Sequence, residues 1–256
     1  MKVTVGILLL VAGACATASA SSLHPIVDGS RVFGASQSGK WIDSGVTAHR
    51  LKGGERYTFY GFNSRLGVWS GSKPTKPDDQ CPDVPLVTFS GVPDKAVIGL
   101  DAPWNALPRK PRVESANQPL YKKTVADYLS LHGVRRPNVE VTQVIRCDID
   151  GNGSDSAIVA ATYDAADHSG TRFYVVLIRH LVDGKVQTAP LLGDVALKAD
   201  PARYPVQCKV EGLYDLQGNG KMETVIDAHY QDSEMVYIVA VKGNHVKTVL
   251  DTGCGV

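Results

Sequence analysis

The feature that most constrains the fold is a segment that occurs twice in the C-terminal half. Residues 147–163 read CDIDGNGSDSAIVAATY and residues 214–230 read YDLQGNGKMETVIDAHY, at an offset of 67 residues. In both, an aspartate precedes a Gly-Asn-Gly turn, and a largely apolar run follows and ends at a tyrosine. A period of this length indicates a repeated supersecondary unit. Each unit contains about four strand candidates, which is the composition of one β-propeller blade.

The loop at the start of each repeat has the residue types of a calcium loop. Oxygen-bearing side chains occupy alternate positions, and the glycines let the backbone turn so that these oxygens face one centre. Ca²⁺ takes six to eight oxygens, with a backbone carbonyl usual at the seventh loop position. The sequence therefore predicts two calcium sites, the first from Asp148, Asp150, Asn152, the carbonyl of Ser154, and Ser156, and the second from Asp215, Gln217, Asn219, the carbonyl of Lys221, and Glu223.

These loops are not EF-hands. An EF-hand needs a bidentate Glu at the twelfth position, where the loops carry Val159 and Ile226, and β-branched strands follow in place of helices. The alternative to calcium is a plain turn, in which Gly-Asn-Gly reverses the chain while Asp148 and Asp215 accept hydrogen bonds from its backbone amides. The sequence alone allows both interpretations.

The pattern D-x-D-G-[DN]-G-x-x-[DE] before a buried strand resembles the FG-GAP/VCBS type of calcium-loop repeat, found in integrin α-chain propellers and in many secreted bacterial proteins. The resemblance covers residues 140–251 and implies two blade-like units with structural Ca²⁺. Ser156 and Gln217 depart from the pattern, so each loop has two carboxylates at ligand positions and should bind calcium weakly. Two units cannot close a propeller of four or more blades, so they must pack against the rest of the chain or another chain.

The remaining sequence predicts a mainly β protein with one amphipathic helix. Residues 21–115 form a glycine-rich subdomain of short strand candidates. Residues 116–137 contain a helix and a connector, because Pro119 suits a first helical turn, apolar residues recur at helical spacing, and Gly133 suits a C-terminal cap. Residues 138–256 hold the repeats. The predicted fold is therefore two four-stranded blade-like units packed with a small N-terminal β subdomain and one helix.

The first residues predict export. Residues 1–20 combine a basic start, an apolar run and the triplet Ala18-Ser19-Ala20, which are the parts of a cleavable signal peptide. Alternatively, Ala12-Gly13-Ala14-Cys15 resembles a lipobox, in which Cys15 would carry a lipid anchor. No later stretch approaches the roughly 18 apolar residues of a membrane span. We therefore expect a secreted or periplasmic protein without a transmembrane segment.

Four cysteines remain after removal of the signal peptide: Cys81, Cys147, Cys208 and Cys254. An even number in an exported chain favours two disulfides, whereas the absence of a C-x-x-C pair disfavours zinc. Cys147 and Cys208 occupy roughly comparable places in the two repeats. We therefore expect a Cys147–Cys208 bridge and, by elimination, a Cys81–Cys254 bridge.

Charge and motifs narrow the function. The chain has 27 Lys and Arg against 26 Asp and Glu, so nothing favours nucleic acid as its main partner. It contains no G-x-S-x-G, H-E-x-x-H, Walker or Rossmann motif. The expected function is an exported, calcium-stabilised binding or interaction module of the cell envelope or extracellular space, with a protein or glycan partner. The rival is a secreted hydrolase acting on wall or glycan material, with its site in the N-terminal half.

Three other patterns each have a structural and a functional interpretation. Asp227 and His229 lie two residues apart on one strand face and are either an acid–base pair or an exposed polar face. Five aromatic residues line either a ligand surface or a core: Trp41, Trp69, Trp104, Tyr57 and Tyr60. Three basic pairs predict a solvated edge around the helix: Arg109-Lys110, Lys122-Lys123 and Arg135-Arg136.

Overall fold

The computed structural model describes residues 22–75, 81, 84–163, 171–198 and 206–255. The predicted signal peptide (residues 1–20), including Cys15, lies outside the described residues. Three antiparallel sheets make up the described part of the chain, and none of them closes into a barrel or ring. The prediction of a mainly β protein is confirmed.

The N-terminal sheet has six strands in the order β3-β2-β1-β6-β4-β5. Side chains alternate between its faces, as the two-residue period of a strand requires. Ile26, Phe33 and Tyr60 face a core shared with the rest of the molecule, while Val27 and Phe59 face a smaller local core. The strands are β1 (His24–Asp28), β2 (Arg31–Gln37), β3 (Lys40–Ile42), β4 (Arg56–Gly61), β5 (Ser64–Ser70) and β6 (Ile98–Leu100).

The middle sheet contains the first repeat and has the order β11-β10-β9-β8-β7. In β9, Ile158 and Ala160 face the shared core, whereas Val159 and Ala161 face a second core against a helix. Both faces of this sheet are therefore covered. The strands are β7 (Arg112–Glu114), β8 (Glu140–Cys147), β9 (Ser156–Tyr163), β10 (Arg172–Val182) and β11 (Lys185–Ala196).

The C-terminal sheet contains the second repeat and has the order β12-β13-β14-β15. The first five residues of β13 are buried except Asp227, which is the pattern of a sheet with both faces covered. This sheet contacts the N-terminal sheet, because the Tyr214 hydroxyl donates to the carbonyl of Gly61 at 3.0 Å. The strands are β12 (Gln207–Tyr214), β13 (Glu223–His229), β14 (Ser233–Lys242) and β15 (His245–Gly255).

One hydrophobic core joins all three sheets, so both repeats pack within this chain. Ile98 of the N-terminal sheet, Ile145 of the middle sheet and Ile226 of the C-terminal sheet belong to it. Burial of such side chains stabilises the fold by roughly 1.5–3 kcal/mol each. The repeats therefore rest on the N-terminal sheet on one side.

The predicted helix is confirmed as α2 (Pro119–Leu131), which begins at its proline and is followed by Gly133 at φ +88°. Its buried side chains Tyr121, Val125 and Leu129 cover the outer face of the middle sheet. Among the described residues no helix is long and apolar enough to cross a membrane.

The structure has two helices where the predicted fold counts one. The second, α1 (Ser44–Arg50), overlaps Thr47–Leu51, a segment whose sequence allows one or two helical turns ended by Gly53-Gly54. Asp43 caps it by accepting the N–H of Val46 at 2.8 Å. Only Thr47 is buried in this helix, so the segment carries no apolar stripe.

The two predicted disulfides have opposite outcomes. The Cys81–Cys254 bridge is confirmed, and it joins the region after β5 to the last strand. The Cys147–Cys208 bridge is wrong, because both thiols are free. Cys147 ends β8 beside its glycine loop, whereas Cys208 lies six residues before Tyr214, the residue equivalent to Cys147. Six strand residues span about 20 Å, far beyond disulfide reach.

Candidate functional site

The two glycine loops adopt the same local geometry. Asp148 accepts hydrogen bonds from the N–H groups of Gly151, Asn152 and Gly153 at 2.8, 3.1 and 2.9 Å. Asp215 accepts them from Asn219 and Gly220 at 3.0 and 2.8 Å. Each first-position aspartate thus organises the backbone of its own loop.

The asparagine of each loop also plays the same part. The side-chain oxygen of Asn152 accepts the N–H of Ser154 at 2.9 Å, and that of Asn219 accepts the N–H of Lys221 at 2.8 Å. The loops therefore are hydrogen-bonded turns, as the turn interpretation of the sequence predicts. It does not exclude a cation, because a carboxylate has about four acceptor sites and Asp148 uses three.

The two loops lie against each other at one end of the sheets. The N–H of Met222, next to the second loop, donates to the carbonyl of Ile149 in the first loop at 2.9 Å. The Lys221 ammonium lies 3.7 Å from a carboxylate oxygen of Asp150. The third-position carboxylate of the first loop is thus partly neutralised by a lysine of the second.

The proline-rich segment before β7 (residues 103–111), called the connector below, holds both loops in place. The Trp104 indole N–H donates to the carbonyl of Asp215 at 2.8 Å, and the N–H of Asp215 donates to the carbonyl of Ala106 at 2.7 Å. The indole also lies flat against Gly218, where a Cβ atom would come within 2.7 Å of the ring. Trp104 is therefore a structural contact of the second loop and does not line an open ligand surface.

Arg109, in the same connector, joins the two loops directly. Its guanidinium donates to the carbonyls of Asp148 and Ile149 in the first loop and to the carbonyl of Gly220 in the second, the last at 2.6 Å. The prediction that the pair Arg109-Lys110 lies at a solvated edge is wrong for Arg109. Its neighbours in sequence are turn residues and prolines, so only the three-dimensional contact distinguishes it from other surface arginines.

The second loop concentrates buried negative charge. Asp215 is 5% exposed and Glu223 is 4% exposed. Glu223 accepts the N–H of Leu216 at 3.0 Å, yet burial, assisted by the nearby charge of Asp215, raises the pKa of Glu223 to about 7. Among the described residues no Lys, Arg or His forms a salt bridge with either carboxylate. The two carboxylates of the second loop are therefore buried without a basic side chain beside them in the described ranges.

The predicted ligands Ser156 and Gln217 differ in their surroundings. Ser156 is buried at the start of β9, and the side-chain oxygen of Gln217 accepts a hydrogen bond from Asn219 at 3.1 Å. Across the described ranges, no three His, Cys, Asp or Glu side chains converge as a metal-holding group. Any calcium site here must therefore rely on amide and carbonyl oxygens beside its two carboxylates.

A buried histidine, His180, interacts electrostatically with Asp150 of the first loop. His180, on β10, is 3% exposed, and neither ring nitrogen has a hydrogen-bond partner within the part of the chain that the structure describes. Burial lowers the pKa of His180 below its ordinary value of 6.5, and Asp150 acts in the opposite direction. The neutral imidazole is the form that the folded protein favours.

We expect His180 to weaken the fold in acid. Because its pKa is lowered in the folded protein, the unfolded chain takes up a proton first as the pH falls below 6.5, and stability is lost over that window. Urea unfolding between pH 8 and pH 5 should show a smaller loss for His180→Leu than for the wild type. His245→Leu, at the exposed start of β15, should lose as much as the wild type. Equal losses in the wild type and His180→Leu would contradict this prediction.

The remaining predicted residues lie away from the loops. Tyr57 and Tyr60 are fully buried in the cores of the N-terminal sheet, and Trp69 packs edge-on against Phe59. The aromatic residues of the N-terminal half are thus mainly core residues. Asp227 and His229 are brought together at the opposite end of β13, with 2.9 Å between His229 Nε2 and a carboxylate oxygen of Asp227.

Comparison of the chain with known proteins adds no assignment, since no protein-family model, curated protein or solved structure matches it.

Proposed function

We propose that this chain is an exported binding module in which the two C-terminal sheets are FG-GAP/VCBS-type units, each starting with a structural calcium loop. What supports the proposal is the match between the loops. The same aspartate and asparagine make the same backbone hydrogen bonds in both, and each loop precedes the second strand of an antiparallel run of four. In this proposal calcium stiffens the junction between the loops and takes no part in chemistry.

The second loop is the stronger of the two proposed sites. The observation that carries this ranking is the pair of buried carboxylates of Asp215 and Glu223. The first loop has Ser156 in place of the buried glutamate, and its Asp150 already faces the Lys221 ammonium. A cation at the first loop must compete with that lysine, whereas a cation at the second loop relieves repulsion between buried charges.

The extracytoplasmic location rests on two observations. The sequence begins with the parts of a signal peptide, and the Cys81–Cys254 disulfide is the kind of bond that persists in oxidising compartments. The rival is a secreted hydrolase with its site in the N-terminal half, where Tyr57 and Tyr60, which could have lined a glycan surface, are core residues. Binding of a protein or glycan partner is therefore the function that we propose.

We expect calcium to raise the melting temperature. With a dissociation constant on the order of 10⁻⁴ to 10⁻³ M, millimolar calcium stabilises the fold by about 0.4–1.4 kcal/mol per site. That corresponds to roughly 1–5 °C for a domain of this size. Glu223→Gln should melt higher than the wild type in chelator, because it removes a buried charge, and should lose most of the response to calcium. Asp150→Asn should lose less of it.

The control for this experiment is Asp127→Asn, which removes an exposed carboxylate of α2 and should respond to calcium as the wild type does. Differential scanning calorimetry in calcium and in chelator measures all four proteins. If the wild type melts at the same temperature in both, the calcium part of the proposal is wrong.

A further inference from the structure

We propose that the groove along the free edge of β12 binds an extended, positively charged peptide segment of a partner protein, which adds as a strand to the C-terminal sheet. This inference rests on the proposed binding function and names the partner chemistry. It concerns the end of the sheets opposite to the glycine loops.

The edge of β12 is open to pairing. Among the described residues β12 pairs with β13 alone, so one side of its backbone has no neighbouring strand. A free edge presents N–H and C=O groups that can accept another strand. The edge of the middle sheet also lacks a strand partner here within the described ranges, because β7 pairs only with Val144, Ile145 and Arg146 and not with the beginning of β8.

A single side chain shows how this edge binds peptide groups. The side-chain oxygen of Gln143, on β8, accepts the N–H of Val210 at 2.9 Å, and its side-chain nitrogen donates to the carbonyl of Val210 at 3.0 Å. One amide thus makes the two hydrogen bonds that a residue of an adjacent strand would make. Because backbone groups alternate sides with a period of two, the N–H and C=O of Cys208 face the same edge.

A groove continues on both sides of this contact. On the Cys208 side lies a cleft of about 870 Å³, and on the other side lies one of about 610 Å³. Gln143, Lys209 and Glu211 line both clefts, so the two are parts of one groove that follows β12. The groove opens beside the first half of β12, where Gln207 and Lys209 are exposed, whereas Val210 and residues 212–214 are buried. A groove that runs along a strand suits an extended chain better than a compact ligand.

Charge selects the occupant. Glu140, Glu211 and Asp227 line the larger cleft, and the single lysine there, Lys209, is already paired with Glu211 at 2.8 Å. The Asp227 carboxylate is held by His229, which lies at the same wall. Two copies of this chain paired through β12 would bring these carboxylates together, which disfavours a dimer. A peptide with lysine or arginine at alternate positions complements them.

The probe that tests the inference is a fluorescent synthetic peptide that alternates Lys with Thr and Val. Fluorescence anisotropy should show binding to the full exported chain, weakened about tenfold or more by Glu140→Lys with Glu211→Lys. Asp127→Lys, on the far face of the middle sheet, should bind as the wild type does. Gln143→Ala should bind the peptide more tightly, because the peptide then does not have to displace the Gln143 side chain from the backbone of Val210.

Two comparison peptides separate strand addition from charge attraction, and an N-acetylglucosamine oligomer tests glycan binding. A peptide with Glu in place of Lys should bind at least about tenfold more weakly. A Lys peptide N-methylated at alternate residues keeps its charge but cannot pair with a strand edge, and should also lose binding. Amide hydrogen exchange should slow at Cys208 when the Lys peptide binds.

The inference is overturned if the N-methylated peptide binds as well as its parent, if Cys208 is not protected, or if the charge reversals leave binding unchanged. Binding of an N-acetylglucosamine oligomer at the groove, without peptide binding, would overturn it while leaving the proposed binding function standing. The calcium response of the melting temperature is measured separately, so failure of that part of the proposed function does not affect this outcome.

Discussion

Replacing Cys81 and Cys254 by serine should lower the free energy of unfolding by about 2–5 kcal/mol. The bridge joins residues separated by 173 positions, so it closes a long loop and removes many conformations from the unfolded chain. It also anchors the end of β15, whose Cys254 pairs with Glu234 of β14. Urea unfolding monitored by near-UV circular dichroism measures the change, which corresponds to a fall in melting temperature of about 4–20 °C.

Cys208→Ser provides the matched control for this double variant. Cys208 is a free thiol on β12, outside any bridge, and burial raises its pKa to about 12, which disfavours the thiolate at neutral pH. We expect its replacement to cost less than about 1 kcal/mol. If the Cys81/Cys254 double variant is no less stable than Cys208→Ser, the bridge does not stabilise the fold as described.

Arg109→Ala should be the most damaging substitution among the exposed or half-buried basic residues, at about 2–4 kcal/mol. The guanidinium donates to carbonyls of both glycine loops, and no other described side chain replaces those three hydrogen bonds. Without them the two loops keep only the Met222–Ile149 hydrogen bond and the Lys221–Asp150 ion pair between them, so their amides should exchange faster with solvent. Chemical unfolding and hydrogen exchange of residues 148–153 and 215–220 measure the two effects.

Two variants sharpen the Arg109 experiment. Lys110→Ala removes the adjacent, exposed positive charge and should change stability by no more than about 0.5 kcal/mol. Arg109→Lys keeps the charge but cannot reach carbonyls on two loops at once, so it should fall between the wild type and Arg109→Ala. Equal stability of Arg109→Ala and Lys110→Ala would show that charge alone, and not the link between the loops, accounts for the residue.

The sequence predicts the parts of this fold that depend on local patterns. The strands of both repeats follow from runs of β-branched residues, and the turn pairs Asp183-Gly184 and Gly243-Asn244 join β10 to β11 and β14 to β15. The helix from Pro119 follows from its apolar spacing and its terminal signals. The first-position aspartates of the loops likewise make the backbone hydrogen bonds that their spacing predicts.

What the sequence does not predict depends on contacts between distant segments. Arg109 and Trp104 bind the loops from a connector with no periodicity, and Gln143 caps Val210 across two sheets. The error over Cys147 and Cys208 has a similar origin. Both residues lie in the first strand of a repeat, but Cys147 is next to its glycine loop and Cys208 is near the far end of its strand. The length of a strand therefore separates the two thiols.

A crystal structure of the mature chain grown in millimolar calcium tests the central claim, that the repeated glycine loops are structural calcium sites. We predict an anomalous difference peak at the second loop, about 2.3–2.6 Å from carboxylate oxygens of Asp215 and Glu223, with a weaker peak at the first loop. A well-ordered structure with no peak at either loop, and both carboxylates bonded only to protein groups, would contradict the claim and leave the loops as hydrogen-bonded turns.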